Sequence, residues 1–88
     1  MMNIDSDITY RLVDSVQVFH GRCSSLNGAT LSFIADRPVA TGKGLEIHLQ
    51  TNDPASPCMV AFIETDKITA LKQGKYEISS SIKIIKGK

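Results

Sequence analysis

The longest run of aliphatic, aromatic and methionine residues in this chain is Met59 to Ile63, far short of the roughly 18 that a membrane-spanning helix needs. No membrane insertion is expected. The opening residues Met1, Met2, Asn3, Ile4 and Asp5 have no basic region with an apolar stretch behind it, so no secretory leader is expected either. Excess charge is missing as well: ten basic residues face nine acidic ones, a formal net charge of +1. That balance excludes the broad basic footprint of a general DNA or RNA binder. With 88 residues there is room for one domain and a modest core, but not for a deep cleft between two lobes. Cysteine is scarce. Cys23 and Cys58 stand far apart in the sequence, and we read both as reduced thiols packed as small hydrophobes, with a disulfide between them as the alternative. A cytoplasmic protein is the expectation.

The pattern that is present has a period of two. Leu45, Ile47 and Leu49 alternate with Glu46, His48 and Gln50, as in a half-buried strand. Ile8, Tyr10 and Leu12 alternate with Thr9 and Arg11, and Leu31 and Phe33 flank Ser32. Val16 and Val18 flank Gln17 in the same way, and Tyr76 to Ile84 makes a longer run. Turn chemistry separates these runs: Asn27-Gly28, whose residues both tolerate positive φ, Asp36-Arg37-Pro38, Thr41-Gly42-Lys43-Gly44, and Gln73-Gly74-Lys75. Asn52 to Pro57 reads as a loop, because its two prolines cannot donate to a sheet. Met59 to Gln73 admits a helix, but the polar gap Glu64-Thr65-Asp66-Lys67 reads better as a turn between two strands. Short strands in so small a chain leave open edges unless the sheet closes on itself. The expected fold is all-β, a small antiparallel barrel of six to seven strands over residues 8–86, with a frayed segment 1–7 and a tail 87–88.

Catalytic chemistry finds little support. His20, Cys23, Ser24 and Ser25 are close in sequence, yet in a strand His20 and Cys23 point to opposite faces. The acids Asp36, Glu46, Asp53, Glu64 and Glu77 read as solvated surface, and two separated histidines form no metal-ligand cluster. No glycine-rich phosphate loop is present. No catalytic residues, no metal and no cofactor are expected. Charge is mildly polarised: Lys72 to Lys88 holds five lysines against one glutamate, which reads as a solvated edge or a contact for an anionic partner.

The stretch from Gly21 to Leu49 is the most informative. A strand enters Cys23-Ser24-Ser25-Leu26-Asn27-Gly28, a second strand leaves it, and a glycine-containing turn leads to an apolar alternating strand. This order resembles the PilZ family, small bacterial β-barrels of which many bind cyclic di-GMP. The family signature Asp/Asn-x-Ser-x-x-Gly is matched at Ser25 and Gly28, while Cys23 stands where the acidic or amide residue should be. The Arg-x-x-x-Arg pair that nucleotide-binding members carry before the barrel has no counterpart, because Arg11 is followed four residues later by Ser15. Those guanidinium groups would supply charge-assisted hydrogen bonds to phosphate and guanine. The resemblance therefore implies a PilZ-like signalling or adaptor module that works through an unidentified protein partner, with weak or absent nucleotide binding. The alternative it implies is a true cyclic di-GMP effector with a non-standard site built from Arg11, Arg22, Ser25, Asn27 and Gly28.

Overall fold

A computed structural model describes the backbone of residues 2–49 and 59–87 and the side chains of 6–49 and 59–86. Six strands follow one another: β1 (Met2–Leu12), β2 (Phe19–Leu26), β3 (Thr30–Ala35), β4 (Gly44–Leu49), β5 (Met59–Ala70) and β6 (Tyr76–Gly87). A single 3₁₀ turn, Lys72–Gly74, joins β5 to β6. All neighbours are antiparallel, and the order β1-β2-β3-β6-β5-β4 closes because β4 pairs with β1. The expected all-β barrel is thus observed, with six strands. Among the described residues no helix is long and apolar enough to cross a membrane.

The period-two pattern becomes the wall of the barrel. Ile8 and Tyr10 of β1, Leu31 and Phe33 of β3, and Leu45 and Ile47 of β4 all point inward and are buried. The Tyr10 ring packs against Phe33 at 5.0 Å and against Phe19 at 5.5 Å between centroids. Closed packing of this kind contributes about 1.5–3 kcal/mol per fully buried large apolar side chain. Cys23 is a free, fully buried thiol, and Cys58 lies outside the described residues, as does the loop Asn52 to Pro57.

β3 and β4 stand on opposite sides of the ring, so residues 36–43 must cross one open end of the barrel. Val39 plugs that end and is buried. The strap is tied to β5 through Thr65, whose Oγ1 donates to Ala40 O at 2.7 Å and accepts from Lys43 N–H at 2.9 Å. Two main-chain bonds reinforce the tie: Gly42 N–H to Thr65 O and Thr65 N–H to Lys43 O.

Three expectations need correction. Residues 64–67 are not a turn; β5 runs through them to Ala70. Thr65 faces inward at the barrel end, where the strap satisfies its hydroxyl, and irregularities at Phe62/Ile63 and Thr65/Lys67 bend the strand. Val16 and Val18 are not in a strand: Ser15 N–H bonds back to Leu12 O and turns the chain, leaving residues 13–18 as a loop. The turn at Asn27-Gly28 is where it was expected, but positive φ does not make it. Asn27 Oδ1 accepts from the N–H groups of Ala29 and Thr30, both at 2.8 Å, and positive φ occurs instead at Gly42, Gln73 and Gly74.

Candidate functional site

The five residues singled out from the sequence do not meet in one place. Asn3 of β1 pairs with Ser25, whereas Arg11 lies eight residues further along the same strand, opposite Glu46. At about 3.3 Å per residue this separates Arg11 from Ser25, Asn27 and Gly28 by roughly 25 Å, at opposite ends of the barrel. Asn27 is committed to its own turn. Cys23, at the position where the family signature begins, points into the core with its thiol 3.6 Å from Ser25 O, and burial pushes that thiol up from its ordinary pKa. The neighbouring hydroxyl that reaches another strand belongs to Ser24, 3.4 Å from Glu77 Oε2. His20 is exposed on the outer wall, on the opposite face from Cys23.

Arg11 is held on three sides. Its Nε lies 3.1 Å from Glu46 Oε1, its Nη2 donates to the same oxygen, and its Nη1 donates to Ser15 O at 2.9 Å. The arginine therefore ties β1 to β4 and fixes the start of the 13–18 loop. Its hydrogen bond to Glu46 holds that carboxyl below its ordinary value of 4.5, against a smaller opposing effect of burial. A carboxylate depressed in the folded state stabilises the fold above its unfolded pKa and loses that contribution as pH falls through the folded value. Glu46→Gln should thus cost about 1 kcal/mol near pH 7. In urea titrations the gap between variant and parent should narrow below about pH 4.5, and a gap independent of pH would remove the ion pair from the account.

A recess of about 770 Å³ lies elsewhere on the outer wall. Gly21 of β2, Ile34 of β3 and Leu71 form its floor, and Arg22, Lys72, Lys75 and His20 surround it, with Asp36 as its one acidic group. Arg22 also sits 3.7 Å from Asp7 on the neighbouring strand. The two lysines are presented by the β5–β6 turn, where Gln73 takes up φ 63° and Gly74 φ 72°. Of the five sequence candidates only Arg22 is here. Lys72 and Lys75 were visible in the sequence merely as part of a lysine-rich end; the pairing of β6 with β3, which lies beside β2, is what brings them near Arg22. A shallow basic groove with an apolar floor suits an anionic ligand with a flat apolar part. Among the described residues no group of three or more His, Cys, Asp or Glu side chains could hold a metal ion.

The class defined by this geometry is a closed six-stranded antiparallel barrel with a basic groove on its outer wall. No family model, curated protein or solved structure matches the chain.

Proposed function

We propose that this chain is a PilZ-like regulatory module of the bacterial cytoplasm that acts by contact with another protein and binds cyclic di-GMP weakly or not at all. The observation that carries the reading is the loop between β1 and β2. Val13, Val16 and Val18 are 54%, 93% and 54% exposed, on a segment that Arg11 and Leu12 pin by hydrogen bonds to Ser15. Three valines on an already ordered loop offer apolar contact without the entropic cost of ordering it on binding. The same geometry argues against nucleotide binding in the family manner, because the guanidinium of Arg11 is already paired and lies far from Ser25 and Gly28. A cytoplasmic setting is consistent with the reduced thiol of Cys23.

A second reading has one observation in its favour. The groove around Arg22, Lys72 and Lys75 could receive cyclic di-GMP at a non-standard position. Titration of isotope-labelled protein with the dinucleotide to about 100 μM separates the two. Silence throughout the amide spectrum is the expected result. Saturating shifts at Arg22, Lys72 and Lys75 would replace the adaptor reading with the effector reading. In parallel, a partner recovered by the parent chain should be lost from Val16→Asp and kept by Lys72→Gln; retention by Val16→Asp removes the valine loop from the proposal.

A further inference from the structure

β6 is longer than β3 beside it. β3 pairs only with its first half, from Ala35↔Tyr76 to Thr30↔Ser81, and on the same side Ile82 N–H donates to Ala29 O at 2.8 Å. Beyond that point β6 keeps β5 as its neighbour, from Phe62↔Ile84 to Met59↔Gly87, and among the described residues no strand lies along its other side. Residues 83–87 therefore form an open edge in an otherwise closed ring. Such an edge is a template for another strand, and natural sheets blunt it with lysines. Here the lysines are turned away. Lys83 Nζ lies 3.5 Å from Glu64 Oε1, and Lys86 Nζ rests over the Phe62 ring at 5.3 Å from its centroid, so both reach back to β5. What remains along the edge is Ile84 and Ile85, 54% and 50% exposed, on opposite faces of the strand.

We propose that residues 83–87 pair antiparallel with the same residues of a second copy of this chain, with Ile85 opposite Ile85 on a two-fold axis. This register uses the open stretch and no more: Lys83 faces Gly87 of the second copy, and Ile84 faces Lys86. No lysine stands directly opposite a lysine, and both lysine heads already have partners on β5. A net charge of +1 adds little repulsion between copies. An identical strand suits this edge because both offer the same alternation of N–H and C=O groups, and a two-fold contact closes instead of growing into a fibre. The half-exposed Ile85 side chains cover each other across the axis. Five residues a side is small against the roughly 20–30 of a standard interface, so the dimer is weak, with a Kd of about 0.1–1 mM. No residue of the valine loop or of the groove around Arg22 takes part, so the contact is independent of the adaptor reading.

Sedimentation equilibrium of the whole chain from about 10 μM to about 2 mM should show a single monomer–dimer equilibrium. At the highest concentration, amides on the open side of Lys83 to Gly87 should exchange at least about twofold more slowly than at the lowest. Ile85→Lys sets two cations face to face at the axis and should weaken the dimer at least about tenfold. The position is half exposed, so the variant should fold, and its amide spectrum away from β6 checks this. Mixing Ile85→Lys with Ile85→Glu should give a heterodimer at least about fivefold tighter than either variant alone, since a two-fold pairing sets position 85 against itself. Val16→Asp should dimerise as the parent does. The proposal is overturned if the parent stays monomeric across that range or grows past a dimer, or if the slowed amides lie outside Lys83 to Gly87. It is equally overturned if Ile85→Lys associates as the parent does, if the mixture gains nothing, or if Val16→Asp abolishes the dimer.

Discussion

Gly21→Val should destabilise the barrel by about 3 kcal/mol or more, and Gly21→Ala by about 1–3 kcal/mol, the range for overpacking a tight site. Gly21 pairs with Ile8 across β1 and β2, and a Cβ built on it would stand 2.9 Å from Ile34 O. Phe33 Cδ2 would be 3.4 Å away and Ile8 Cγ1 3.5 Å away. The closest atom is backbone in the adjoining strand, so no rotamer change can move it aside, and β2 and β3 must separate to make room. In a closed barrel that displacement is passed to the neighbouring pairs. Urea and thermal unfolding are the measurements, and in the thermal scan a fall in Tm of roughly 4–8 °C per kcal/mol is expected for a domain of this size. Gly28→Ala is the matched control: a Cβ there meets nothing within 4 Å and φ is not positive, so its effect should stay within about 0.5 kcal/mol. Equal stability of the two alanine variants would show that the close approach at Gly21 is not a constraint.

Thr65→Val should cost about 2 kcal/mol, while Thr65→Ser should keep most of the stability. Valine has nearly the shape of threonine but leaves Lys43 N–H and Ala40 C=O without their side-chain partner. An unsatisfied buried group costs about 1–3 kcal/mol, and the lower part of that range applies here because Ala40 and Lys43 are exposed and water can replace part of the loss. The two main-chain bonds between Thr65 and the strap survive the substitution, so the barrel should still fold. Hydrogen exchange at the Lys43 amide reports the change directly: it should quicken in Thr65→Val and not in Thr65→Ser. If both variants exchange and unfold like the parent, the strap is held by its backbone alone.

These two sites also differ in how far they could be read from the sequence. Gly21 looked like any residue of a strand approach, since nothing local announces that a carbonyl of the next strand sits against it. Thr65 was actively misleading. Four polar residues in a row resemble a turn because a polar side chain pointing into a barrel is costly unless it finds a partner. Its partners, Ala40 and Lys43, are more than twenty positions earlier in the sequence. The proposed nucleotide residues show the same limit, for Arg11 and Ser25 are near in sequence yet the long antiparallel hairpin holds them at opposite ends.

By itself, the sequence determined that this protein is all-β, which faces of β1, β3 and β4 are buried, and where most of its turns fall. Alternation is a local consequence of the pleat, so each strand carries its own record of which side meets the core. Tertiary structure alone decided the closure of β1 onto β4, the passage of β5 through Glu64 to Lys67, the groove that joins Arg22 to Lys72 and Lys75, and the burial of a Tyr10 hydroxyl that has no hydrogen-bond partner among the described residues. Each of these depends on which distant strand or loop comes to lie beside a residue, and pairing between remote segments leaves no periodic mark on the chain that makes it.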